Sequence, residues 1–306
     1  MLRQYRDYLS DFKNSDQKSH AKKWLLYPEN LGERLSIDET SLSHGELYTI
    51  ITNKAAKGKK GAIVAIVAGT KAETVISVLH RIPERTRKKV TEITLDMAGN
   101  MELICKRCFP QAIRVTDRFH VQKLATEALQ EMRIKYRWEA MDAENEDIEQ
   151  TKRTGNPFQS EVLHNGDTIK QLLARSRYVL YKKPSDWTES QKDRAELLFR
   201  RFPDLKTAYG LSMGLSQLFE NTKDKVFGLA NLAKWHEKVR QTGFKAFNTI
   251  ARSIQNHYQT ILNYFDYKST NASAESFNAK IKAFRSQFRG VKNIEFFLFR
   301  LTQIYA

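Results

Sequence analysis

The chain has 306 residues, 41% of them hydrophobic, which is enough for one large core or for a core domain with a sizeable insertion. Lys and Arg number 51 against 35 Asp and Glu, a formal charge of +16, and a surplus of that size spread along a foldable sequence favours a long polyanion, nucleic acid first. No apolar stretch reaches the length of a membrane span, the first residues lack a signal-peptide pattern, and two cysteines cannot supply a disulfide framework, so membrane and secreted classes are set aside in favour of a reducing, intracellular compartment.

In chain order, residues 1–33 read as a basic helical lead-in, because LRQYRDYLSDF spaces its apolar residues helically before the turn-like YPENLG. From Arg34 the pattern changes: RLSIDETS, ELYTIITNKA and GAIVAIVAG are rich in Ile, Val and Thr and are separated by SHG and KGKKG, which predicts three strands in a meander. KAETVISVLHRI then sets Val75, Ile76, Leu79 and Ile82 on one helical face before Pro83. VTEITLDMAGN predicts a strand, MELICKRCF a short helix closed by Pro110, and AIRVTDRF a fifth strand. This βββαβαβ order implies an α+β (mixed α/β) fold, a five-stranded mixed sheet flanked by helices, over 34–120.

Beyond Phe119 the spacing is helical. Val121, Leu124, Ala128, Leu129 and Met132 share a face, two stripes break near Pro203, and a longer stripe runs from Phe244 to Phe265. Ser176 to Lys183 is the only later segment with strand character, and the acidic run Met141 to Pro157 reads as an exposed helix end and loop.

Cys105 and Cys108 have C-x-x-C spacing, but a tetrahedral zinc site needs two further ligands and no Cys or His pair offers them. No structural zinc is expected. Asp38, at the end of the first strand, and Asp96, closing the fourth, emerge on a shared rim if their strands are neighbours. Either alone is as ordinary as a loop cap; two like charges on one rim repel unless a cation neutralises them.

The segments SIDETSLSHGELYTIITN, ITLDMAGNM, IRVTDRFHVQKL and TNASAESFNAKIKAFRSQFRGVKNIEFF resemble, in order and spacing, the DDE transposases of the ISL-three insertion-sequence family. The resemblance covers roughly Leu35 to the C-terminus, and its most specific parts are DRFHV and the closing N-x-x-x-E-x-x-N-x-x-I-K pattern. It implies an RNase H-like core in which the catalytic, metal-holding carboxylates are Asp38, Asp96 and Glu275. The last of these follows an all-helical insertion (121–268) and lies on C-terminal helices (269–306) that complete the core. It also implies two divalent ions, Mg or Mn, with Asp38 bridging them, and metal-dependent cleavage and strand transfer at insertion-sequence ends. The implied partner is double-stranded DNA in a bacterial, nucleoid-associated setting, bound by a homo-oligomer. Relatives of this kind usually place a zinc segment and a helix-turn-helix ahead of the catalytic domain; neither pattern precedes Asp38 here, so a separate DNA-recognition polypeptide is one expectation.

Around Glu275 the residues suit a helix that meets DNA. Asn278 and Lys282 share its face, Lys280, Arg285 and Arg289 extend the basic charge, and Phe277, Ile281, Phe284 and Phe288 form the opposing apolar stripe. An ordinary amphipathic helix with a solvated basic face has the same pattern. A second basic cluster, Arg175, Arg177, Lys182 and Lys183, is interleaved with Tyr178, Tyr181 and Trp187 and suits either phosphate contact and base stacking or the core of the helical region. Asp117 and His120 are supporting candidates near the same rim, with helix capping and packing against the sheet as the structural reading. Two rival functions remain open: a silent transposase-derived nucleic-acid-binding protein, and an RNase H-like nuclease that cuts without joining.

Overall fold

The computed structural model describes residues 4–43, 46–155, 157–287, 291 and 293–306. The chain forms two compact units, one built from residues 1–118 and 259–306, the other from residues 119–258.

The first unit is a six-stranded mixed sheet with helices packed on both of its faces. Its strands are β1 (Trp24–Leu26), β2 (Arg34–Ser43), β3 (Glu46–Asn53), β4 (Ile63–Ala68), β5 (Glu92–Leu95) and β6 (Ile113–Thr116), in the spatial order β1-β4-β3-β2-β5-β6. The meander β2, β3, β4 is antiparallel, while β5 and β6 run parallel to β2. Helices α1 (Ala72–Leu79), α2 (Glu84–Arg87) and α3 (Gly99–Cys108) fill the crossovers. Strand alternation sorts the core: Leu35, Ile37, Ile51 and Ile93 pack with Val75, Leu79, Ile104 and Cys105 on one face, and Ile50, Ile63 and Ile66 pack on the other. Burial raises the thiol pKa of both cysteines, that of Cys108 to about 12, so they are core side chains.

The sheet departs from the expected five strands. The sixth, β1, comes from the lead-in, which is not one helix: it makes short turns at Tyr5–Leu9 and Asp11–Asn14 and then pairs Leu25 with Ile66. The reason lies in its apolar residues, which have separate destinations. Phe12 packs edge-on against Phe296 and Phe299, whereas Leu25 enters the sheet core. Along the open side of β1, the Gln17 amide accepts from the Leu26 N–H at 2.8 Å and donates to its carbonyl at 2.9 Å, covering part of an edge that would otherwise offer itself to another strand. Within the predicted SHG turn, His44 and Gly45 lie outside the described residues.

The second unit is helical: most of α4 (Arg118–Thr154), then α5 (Ile169–Arg175), α6 (Glu189–Arg201), α7 (Pro203–Asn221), α8 (Lys225–Thr242) and α9 (Lys245–Asn256). Local chemistry sets its boundaries. Pro203 opens α7 at the first helical position, Asp224 caps α8 by accepting from Val226 and Phe227, and Gly243 closes α8 at φ 68°. Two expectations change. Met141 to Thr154 continues α4 instead of loosening into a loop, with Glu144 tied to Ser160 and Lys170. Ser176 to Lys183 forms successive turns with Val179 and Leu180 buried, and among the described residues no strand pairs with it. The long stripe from Phe244 to Phe265 divides at His257 into α9 and α10 (Tyr258–Tyr267).

From Gln259 the chain belongs to the sheet unit again. There α10 is fastened to β6, with the Thr116 and Thr260 hydroxyls 2.7 Å apart and Asn263 donating to the Arg114 carbonyl at 2.8 Å. Helices α11 (Ala272–Gln287) and α12 (Ile294–Tyr305) then lay Phe277, Ile281, Phe284, Phe297, Leu298 and Leu301 on the Ile50, Ile63 and Ile66 face.

Candidate active site

Register aligns the acidic side chains. In the parallel β2/β5 ladder Arg34 lies opposite Glu92, Leu35 opposite Ile93 and Ser36 opposite Thr94. Carried two residues further, the same register sets Asp38 beside Asp96. The β5/β6 ladder ends with Leu95 opposite Thr116, and one more step brings Asp117 level with Asp96. Three aspartates from adjacent parallel strands therefore stand at one level, where β5 and β6 stop. Asp38 is not at the end of its strand as expected; it sits in the middle of β2, opposite Ile50. The ten-residue β2 outruns the four-residue β5 because its antiparallel partner β3 pairs along most of its length, so the rim exists only on the β5 side.

Each aspartate is oriented by local bonds. Asp38 accepts from the Glu39 N–H at 2.8 Å and from the Asn278 amide at 2.7 Å; Asp96 accepts from the Met97 N–H at 2.6 Å. Asp117 is buried. The Asn278 bond brings α11 over β2, and Glu275, one turn earlier, is exposed in the first turn of that helix, where the dipole favours a carboxylate. Carboxylate oxygens of Asp117 and Glu275 lie within 4.8 Å of each other. Among the described residues, the ligand atoms of Asp38, Asp96 and Glu275 do not gather as a trio within that distance. His120 lies in the other unit, in the first turn of α4, three residues beyond Asp117 along the chain.

The remaining expected residues divide by what they already hold. Lys280 donates to the Gly58 carbonyl at 2.8 Å and lies over the Tyr305 ring, so it braces α11. Lys282 is exposed and Arg285 half-buried; Phe288, Arg289 and Gly290 lie outside the described residues. In the helical unit, Lys183 pairs with Glu220 at 2.8 Å, Lys182 donates to Gln191 at 3.2 Å, and Arg177 lies over the Tyr178 ring. Trp187 donates its indole N–H to the Val179 carbonyl at 3.0 Å and packs beside Phe199 and Tyr209. Sequence reasoning missed Asn100, which links Glu39 at 3.1 Å to the Thr70 carbonyl at 2.9 Å beside the rim. It also missed Glu92, although the alternation of positions 92, 94 and 96 is a signal that would have placed it on the aspartate face.

Arg175 shares the fully buried Asp167 with Arg194, whose Nε is 3.0 Å from it. Burial works against the Asp167 charge, but the Arg194 and Arg175 bonds outweigh it and hold its pKa below the ordinary carboxylate value. A depressed folded-state pKa means that the stabilisation is complete above the unfolded-chain value, about 3.9, and is lost as pH falls through the lower folded value. Circular dichroism is therefore expected to report loss of helix on acidification below about pH 4, and Asp167→Asn to flatten that part of the profile. A profile identical to that of the unmodified chain would contradict this.

The aspartates at the rim offer hard oxygens, and like charges brought to one level favour a divalent cation among them. The chain belongs to the ISL-three family of DDE transposases: the family model, described as "Transposase", matches residues 35–301. Among its relatives, the transposase for insertion sequence element IS1001 of Bordetella parapertussis is 23% identical over 270 residues, which cover 88% of this chain and 60% of that protein. The transposase for insertion sequence element IS1557 of Mycobacterium tuberculosis is 26% identical over 254 residues, 81% of this chain and 54% of its own length. This chain thus spans little more than half the length of the curated relatives it matches. Among the described residues no helix is long and apolar enough to cross a membrane.

Proposed function

We propose that the sheet unit is an RNase H-like catalytic core, that the helical unit is an insertion within it, and that Asp38, Asp96 and Glu275 carry metal-dependent DNA cleavage and strand transfer at insertion-sequence ends. The observation that carries this reading is the common register of Asp38 and Asp96 on neighbouring parallel strands, with the Glu275 helix bonded to Asp38 through Asn278. The family match supports the same assignment.

When bound, a pair of Mg or Mn ions would supply Lewis-acid polarisation of the scissile phosphate. The carboxylates of Asp38, Asp96 and Glu275 would hold those ions. Asn278 and the Glu39 N–H orient the Asp38 carboxylate. Asp117, buried beside Glu275, acts as a supporting carboxylate that orients its neighbour. Lys282 and Arg285, on the helix that carries Glu275, serve the phosphate backbone of double-stranded DNA. The working form is a homo-oligomer on paired ends, with end recognition supplied by a further region or a separate polypeptide.

Purified protein, Mn and a pre-nicked terminal duplex incubated with a target plasmid test this reading. Joined products are expected. Hydrolysed ends without joining would favour a nuclease, and salt-sensitive binding without either product would favour a silent DNA-binding descendant.

A further inference from the structure

Beneath the rim, the aspartate-bearing face of the sheet holds a largely buried ionic cluster built on Glu92 and Lys54. Glu92 lies on β5 two alternations before Asp96, and its side chain is 4% exposed. It accepts from Lys54 Nζ at 3.1 Å, and Lys54, just past β3, also donates to the Thr94 hydroxyl at 2.8 Å. A second donor reaches the same Glu92 oxygen: the Ser269 hydroxyl. Ser269 lies in the connection between α10 and α11, next to Lys268, whose φ of 50° marks a sharp change of direction.

A buried Lys–Glu pair is a poor way to stabilise a sheet, since apolar residues of equal volume serve as well or better. What the pair does here is geometric. Apolar contacts such as those of Phe277, Ile281 and Phe284 are non-directional and leave a helix free to slide or roll by small amounts. Rotation of α11 by one residue would swing Glu275 by about 100° around the axis. Polar bonds forbid that: Asn278 to Asp38 and Lys280 to Gly58 hold the body of the helix, and Ser269 to Glu92 holds its entrance. From that entrance the Asn271 carbonyl accepts the Glu275 N–H at 2.8 Å, so the anchored segment leads directly into the turn that carries Glu275.

We propose that Glu92, fixed by Lys54, is a positioning residue: through Ser269 it sets the register of the Glu275 helix against the strand that carries Asp96. The proposal rests on the catalytic reading of Glu275 given above. It involves no contact between Glu92 and substrate or metal.

Ser269→Ala removes the bond while leaving Glu92 paired with Lys54, so no buried charge is orphaned. Two measurements on the full chain follow. Amide hydrogen exchange in the first turn of α11 is expected to quicken about tenfold, the loss of one hydrogen bond to a charged group, with exchange in β3 and β4 unchanged. The Mn concentration that gives half-maximal cleavage of a terminal duplex is expected to rise by about tenfold or more, and Ser269→Thr, which keeps the hydroxyl, to restore both values. Unchanged exchange in α11, or a wild-type Mn requirement, overturns the proposal. So does a uniform rise in exchange across the whole sheet, which marks a general structural role. Should the unsubstituted protein itself cleave nothing with Mn, the catalytic reading fails and the purpose assigned to this brace fails with it; that result is recognised without any Ser269 variant.

Discussion

Asp96→Asn is expected to lower Mn-dependent strand transfer by on the order of a thousandfold, the rate equivalent of several kcal/mol of lost charge stabilisation at a metal-assisted phosphoryl centre. The fold should be indifferent to the change. Asp96 lies beyond the last residue of β5, half-buried, and the asparagine oxygen can still accept the Met97 N–H. Replacing one of several like charges at one level also relieves repulsion, so the melting temperature should stay constant or rise slightly. Asp117→Asn is expected to fall less, about 10- to 100-fold, as for a group that orients a ligand. Joining by Asp96→Asn at the rate of the unsubstituted chain, measured on a pre-nicked duplex, would exclude the residue from the chemistry. A loss accompanied by unfolding would leave only a structural role.

Phe277→Ala is expected to destabilise the sheet unit by about 3–5 kcal/mol, the usual cost of deleting a large buried ring. Phe277 is 1% exposed, packs among Ile50, Ile63 and Ile66, and meets Tyr305 edge-on at 5.2 Å. Its neighbours in that cluster, Ile281 and Phe284 among them, are themselves held in the packed face, so the cavity has little to collapse onto. Urea unfolding followed by exchange protection of β3 and β4 amides reads the sheet unit separately from the helical one, which matters because two units need not unfold together. A change smaller than about 1 kcal/mol, the typical effect of any substitution, would mean that the helix is not anchored through this ring. Because Glu275 shares the helix, activity should fall with stability here, in contrast to Asp96→Asn.

Charge, periodicity and motif spacing by themselves determined a good deal about this protein. The +16 surplus pointed to a polyanion, and alternation in RLSIDETS and its successors marked five of the six strands. The spaced acids with DRFHV and the closing Asn/Glu pattern pointed to the family. These signals are local, and each residue carries them wherever the chain goes. The lead-in escaped such reading because Phe12 and Leu25 satisfy partners far along the sequence, among them Phe296 and Ile66. Ser176 to Lys183 looked strand-like because β-propensity expresses packing against a neighbouring strand, and among the described residues no strand pairs with it.

Tertiary structure alone decided how the acids are arranged. That Asp38, Asp96 and Asp117 share one level follows from the register of two parallel ladders, which no spacing along the chain encodes. That Asn278 grips Asp38, that Lys280 is spent on Gly58, and that Glu92 holds Ser269 follow from helices returning to the sheet after a separate helical unit. The physical reason is the range of the forces. Propensity and periodicity act over a few residues, whereas a hydrogen bond between positions 38 and 278 forms only once the core has closed around it.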